Sequence, residues 1–120
     1  MNGSAIDTNV IIKFLNGDEK ARQIFDENQD IAIPVTVVGE LVFGACKSAR
    51  RQENLKLFND FISQYPILQI DKSVADIYGE LKASLASKGI NLPENDIWIA
   101  ATSKANNRSV ISFDAHFSNI

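Results

Sequence analysis

The sequence is short of three residue types on which much protein chemistry depends, with one cysteine (Cys46), one histidine (His116) and one tryptophan (Trp98) in 120 residues. A lone cysteine excludes an intrachain disulfide, and its place in the apolar stretch VFGACK reads as a buried, inert thiol in a reducing compartment. A lone histidine excludes catalysis by two imidazoles acting as general acid and base. No apolar run approaches the roughly 18 residues of a membrane span, and NGSAIDTNV after Met1 has neither a basic nor an apolar leader region, so the expected location is cytoplasmic. Positive charge is also in deficit. Twelve Lys and Arg face 15 Asp and Glu, for a net charge of −3 and a pI near 5.0, which taken alone disfavours a nucleic-acid partner.

What is present suits a globular fold. With 45% hydrophobic and 22% charged residues, residues 1–120 are expected to form one compact domain with a real core. Short apolar runs at GSAI, at Asp30 to Val35, at YPILQI and at RSVISF read as strands. Helical spacing lies between them. Val38, Leu41, Val42 and Ala45 follow Thr36, an expected N-cap, and Leu55, Phe58, Phe61 and Ile62 mark a second helix. Asp71 is expected to cap a third, whose stripe Val74, Ile77, Tyr78, Leu81 and Leu85 stops at Gly89, and a last helix runs through ENDIWIAATSKA. Strands alternating with helices imply parallel pairing through right-handed crossovers, hence an α/β fold with a short parallel sheet flanked by helices on both faces.

In such sheets ligands bind beyond the carboxyl ends of the strands. Asp7 stands there, between an apolar strand and an apolar helix, and Asp114 is expected to end the last strand. Asp96 opens the helix DIWIAA, and Glu40 lies about one turn into the helix after IAIPV. All are flanked by apolar residues, unlike the acids of NGDEK and FDENQD, which read as solvated loop and surface-helix charge. Each taken singly could be a turn cap, a helix N-cap or, for Glu40, a partner of Lys47 or Arg50. Together they are harder to explain that way. Carboxylates about 4 Å apart repel by roughly 4 kcal/mol at an effective dielectric near 20. A cluster of them therefore calls for a proton or a cation, and an oxygen cage suits Mg²⁺ or Mn²⁺. Such ions support phosphodiester hydrolysis by water with no nucleophilic side chain.

In order and spacing, IDTNV with Asp7, VGELVFGA with Glu40, NDIWIAAT with Asp96 and SFDAHF with Asp114 resemble the PIN domain, and the short form is similar to the VapC toxins of toxin–antitoxin pairs. The resemblance implies a Mg²⁺- or Mn²⁺-dependent ribonuclease in which Asp7, Glu40, Asp96 and Asp114 surround the ion and Thr8, Asn9 and Ser112 support them. Ser112 stands where a threonine is commoner in the family and keeps the hydroxyl. The resemblance also implies a homodimer that binds a cognate antitoxin whose tail presents a basic side chain to the acidic cleft.

The remaining candidates have plainer readings beside functional ones. His116 reads as loop packing or a substrate contact, and Trp98 as core or dimer interface rather than a stacking platform. Thr8 and Asn9 could merely cap the first helix. Lys47, Arg50, Arg51 and Lys56 in CKSARRQENLK could hold RNA phosphates or form a solvated helix face. Two rival functions remain open: an aspartyl-phosphate phosphotransfer protein, which would want an acid where Asn9 stands, and a non-catalytic interaction module on the same scaffold.

Overall fold

The computed structural model describes residues 3–120, which form four short strands, six α-helices and a terminal 3₁₀ helix. Strands β1 (Ser4–Ile6), β2 (Ile31–Pro34), β3 (Ile67–Leu68) and β4 (Ser109–Ile111) make one parallel sheet in the order β3-β2-β1-β4. Ser4 is in register with both Ile31 and Ser109, and Pro34 with Leu68. The chain steps outward from β1 through β2 to β3, then returns to the far side of β1. Right-handed crossovers therefore put the helices between β1 and β3 on one face and those between β3 and β4 on the other. The reversal of direction falls at β1, beside β4.

The strands are shorter than their apolar runs. Pro34 has φ −60° and lacks an amide hydrogen, so it ends β2 and fills the cap position of α3 (Val35–Cys46). Thr36 thus falls inside the helix and is not its N-cap. YPILQI pairs only over Ile67–Leu68, helped by a bond from Ile33 N to Pro66 O. Before β2, α1 (Thr8–Leu15) is followed by α2 (Glu19–Glu27), where Asp18 is a cap and not a merely solvated charge: its side chain accepts from Ala21 N. Then come α4 (Arg51–Ile62), α5 (Lys72–Ser87) and α6 (Glu94–Ala105). Asp71 caps α5 as expected, accepting from Val74 N, and Gly89 takes φ +69°, which a side chain would strain.

The core is apolar and continuous. Ile6, Ile33, Val10, Ile11, Val37, Leu41 and Ile99 lie within 1% of full burial and bring β1, β2, α1, α3 and α6 together. On one flank Phe14, Phe25, Phe61 and Tyr65 pack ring against ring at centroid separations of 4.4 to 6.0 Å. On the other, Trp98 is half-buried and stacks on Tyr78 at 3.8 Å, which fits packing for that residue. Cys46 is only half-buried, because it lies in the last turn of α3 where the helix leaves the core. Arg108 clamps the start of the sheet: Nη1 donates to Ser4 O and Asp30 O at 3.2 and 3.1 Å and pairs with Asp30 at 2.9 Å. Gly3 makes room for it, since a Cβ there would collide with both side chains.

Candidate active site

At the carboxyl end of β1 the chain turns directly into α1, and Asp7 is the residue of the turn. Its backbone N donates to Ile111 O at 3.0 Å, which fixes it beside the end of β4. Its side chain is the N-cap of α1, with Oδ1 accepting from Thr8 N at 2.8 Å and Oδ2 accepting from Ser112 Oγ at 2.6 Å. The turn-cap role raised by the sequence is therefore real. It does not exhaust Asp7, which is only 5% exposed and whose carboxyl pKa is raised above its usual value. Burial is the main cause; the bonds from Ser112 and Thr8 oppose it, and the nearby charges of Asp96 and Glu40 add to it.

The neighbouring side chains form one connected network. Thr8 Oγ1 donates to Glu40 Oε1 at 2.6 Å, and Asn95 Nδ2 donates to Glu40 Oε2 at 3.4 Å. Glu40 pairs with neither Lys47 nor Arg50; the helix turns it toward α1 and α6. Asn9 Nδ2 donates to Ser112 Oγ at 3.3 Å, and Asn9 Oδ1 accepts from Phe113 N at 3.1 Å, holding the segment after β4 against α1. Asp114 N donates to Ser112 Oγ at 2.9 Å. Thr8, Asn9 and Ser112 thus each orient an acid or the loop that carries one.

Two acids are placed differently from their sequence expectations. Asp114 does not end a strand: β4 stops at Ile111, because Ser112 turns inward to Asp7, and Asp114 instead caps the 3₁₀ helix Ala115–Asn119 by accepting from His116 N at 3.0 Å. Asp96 does not cap α6, whose cap position is Pro93; it lies in the first turn. Its Oδ2 meets His116 Nδ1, which is also 3.2 Å from Asp114 Oδ2. Among the described residues, Asp96, Asp114 and His116 are the trio whose ligating atoms lie within 4.8 Å of one another, while Asp7 and Glu40 join them through Ser112 and Thr8. His116 is thus part of the acidic constellation, which its position two residues after Asp114 could have signalled. The basic cluster is less concentrated. Lys47 lines a groove next to Glu40, whereas exposed Arg50 faces Glu53 at 3.7 Å, Lys56 faces Asp60 at 2.8 Å, and Arg51 projects to solvent.

Carboxylates gathered beyond the parallel strands where strand order reverses, with hydroxyl and amide side chains orienting them, define an α/β protein with an oxygen-rich acidic site. The chain belongs to the PIN domain family, whose model matches residues 5–120. It is 31% identical over 113 residues to Ribonuclease VapC2 of Haemophilus influenzae, covering 89% of this chain and 83% of that one. It is 34% identical over 97 residues to the tRNA(fMet)-specific endonuclease VapC of Salmonella typhimurium, covering 79% and 74%. Its fold matches the crystal structure of DNA-bound VapBC from Salmonella typhimurium with a TM-score of 0.89 at 29% identity, over 100% of this chain and 92% of that one. No helix among the described residues is long and apolar enough to cross a membrane.

Proposed function

We propose that the chain is an endoribonuclease dependent on a divalent cation, Mg²⁺ or Mn²⁺, and the toxin of a toxin–antitoxin pair, acting in the cytoplasm as a homodimer built from single PIN units of residues 1–120. The observation that carries this reading is the continuous chain of polar contacts from Glu40 through Thr8, Asp7, Ser112, Asp114 and His116 to Asp96. Its bearer belongs to the PIN family and is similar to proteins named as VapC ribonucleases and to a VapBC complex.

The donor chemistry fits a hard divalent ion. Asp7, Glu40, Asp96 and Asp114 offer carboxylate oxygens, and the carboxyl pKa of Asp7 is raised chiefly by burial, with the charges of Asp96 and Glu40 adding to it. Those four acids would hold the ion. When bound it would neutralise the cluster, activate water and stabilise the leaving oxygen. The chain's own residues do the rest. Ser112 and Thr8 hold the carboxylate of Asp7, Thr8 and Asn95 hold Glu40, and His116 links Asp96 to Asp114, so the acids are oriented before substrate arrives. A carboxylate of the cluster accepts the proton of the attacking water. Water adds in line to phosphorus as the bond to the 3′ oxygen breaks and that oxygen takes up a proton, leaving 5′-phosphate and 3′-hydroxyl ends. The acidic cleft suits an antitoxin that presents a basic side chain to it.

The test is incubation of the purified protein with structured RNA, including initiator tRNA because of the Salmonella relative's name, in Mg²⁺, Mn²⁺ or EDTA, beside Asp7→Asn. We expect metal-dependent cleavage with 5′-phosphate ends. Cleavage that survives EDTA, leaves cyclic phosphates, or proceeds equally fast in Asp7→Asn would overturn the reading.

A further inference from the structure

A groove of about 660 Å³ lies beside Glu40, lined by Ile12 of α1, by Thr36, Gly39, Glu40, Phe43 and Gly44 of α3 with Lys47 just after that helix, and by Asn95 of α6. Its lining is peculiar in two respects. Phe43 is 65% exposed, the most exposed large hydrophobic side chain among the described residues, although burial of such a ring is ordinarily favourable. The Lys47 ammonium lies 5.0 Å from its ring centroid. The glycines are the second peculiarity. Each costs about 1 kcal/mol relative to alanine in the interior of a helix, yet a Cβ on Gly39 or Gly44 would meet nothing within 4 Å, and neither has a positive φ. Neither internal packing nor backbone conformation accounts for them. Both line the groove, where a side chain would take up part of its space.

We propose that this groove is the subsite for the nucleotide next to the scissile phosphate, with the base stacked on Phe43, the sugar–phosphate chain passing over Gly39 and Gly44, and Lys47 meeting the flanking phosphate. The inference rests on the ribonuclease reading and extends it to the recognition of single-stranded substrate. RNA fits better than a peptide segment because Glu40 and the Asn95 that bonds it both line the groove, so its occupant lies against the acidic site, and because Lys47 offers a cation to a phosphate there. Stacking on a phenyl ring tolerates any base, so the subsite fixes the strand without reading its sequence.

The experiment measures binding of a short fluorescein-labelled single-stranded oligoribonucleotide by anisotropy, and steady-state cleavage of the same strand, in the full chain and in Phe43→Ala, Phe43→Tyr and Gly44→Leu. Phe43→Ala should weaken binding and raise KM about tenfold, the scale of one lost base stack, with kcat changed little, and Phe43→Tyr should restore both. Gly44→Leu should raise the melting temperature, because leucine is the better helix former, while weakening RNA binding by filling the groove. An abasic nucleotide beside the cleavage position should cost the parent as much as Phe43→Ala does and cost that variant nothing more. Unchanged binding and KM in both Phe43→Ala and Gly44→Leu would overturn the subsite, as would loss of self-association or of antitoxin binding with RNA affinity intact. A parent chain that cuts no RNA would instead refute the ribonuclease reading, and anisotropy would still decide whether the groove binds RNA.

Discussion

Helix α1 has two ends that obey different rules. At its carboxyl end Phe14 joins Phe25, Phe61 and Tyr65 in contacts that are apolar and without direction, with Phe14 and Phe25 4.4 Å apart. At its amino end, about 12 Å away over eight residues, Asp7, Thr8 and Asn9 make directional bonds to Ser112, Glu40 and the loop after β4. The aromatic end stabilises the fold by removing surface from water, whereas the acidic end confines a carboxylate that burial and neighbouring charge disfavour. One short helix thus couples the part that holds the protein together to the part that strains it. Changes at the aromatic end should cost stability and spare chemistry; changes at the acidic end should do the reverse.

The largest expected effect lies at the acidic end. Asp96→Asn removes one charge from the cluster, and cleavage should fall by about a thousandfold or more, near 4 kcal/mol of transition-state stabilisation. The metal-free variant should melt no lower than the parent, because a repulsive charge has gone, and the rise in melting temperature produced by millimolar Mg²⁺ or Mn²⁺ in the parent should shrink. A variant that melted much lower without metal would show that Asp96 serves the fold. The opposite experiment is Phe61→Ala. Phe61 is 5% exposed and touches three other rings, so its loss should cost roughly 3–5 kcal/mol in denaturant unfolding. At a temperature where the variant is folded, kcat and KM should match the parent. A large fall in kcat there would mean that the two ends of α1 are not separable.

The two ends were not equally legible in the sequence. Periodicity exposed the apolar elements: the stripe of α5 is real, with Val74 and Leu85 buried and Asp71 capping it. It did not give the strand limits, because Pro34 and Ile111 stop pairing for reasons outside a hydrophobic pattern, one through its missing amide hydrogen and the other because Ser112 turns inward. The four acids could be picked out by their apolar flanks, but their wiring could not. Ser112 and Asp7 are 105 positions apart, Thr8 and Glu40 are 32 apart, and such pairings are set by the packed sheet rather than by local spacing. The contact of His116 is non-local for the same reason, since the Asp96 it meets lies 20 positions earlier on another helix. Phe43 lies outside the helical stripe of Val38, Leu41, Val42 and Ala45, and its exposure is what marks it out.

The smallest expected effect, and the sharpest probe of strain at the acidic end, is a dependence of stability on pH that belongs to Asp7 alone. Its folded-state pKa is raised from the ordinary 3.8, chiefly by burial, so in the window above 3.8 the folded chain holds a proton that the unfolded chain has released. The contribution to stability is then fully present below the ordinary value and is lost as pH rises through the raised one. Metal-free parent protein should therefore lose stability across that window relative to Asp7→Asn, in which the site has no proton to release. Taking the difference between the two melting profiles removes the opposite trends of ordinary capping carboxylates such as Asp18 and Asp71, which both proteins share. With its amide oxygen toward Thr8 N the asparagine side chain keeps that bond, so the cap survives the substitution. The profiles should diverge in favour of Asp7→Asn as pH rises and run parallel below the window. Parallel profiles throughout would mean that Ser112 and Thr8 fully offset burial, and that the amino end of α1 is no more strained than its aromatic end.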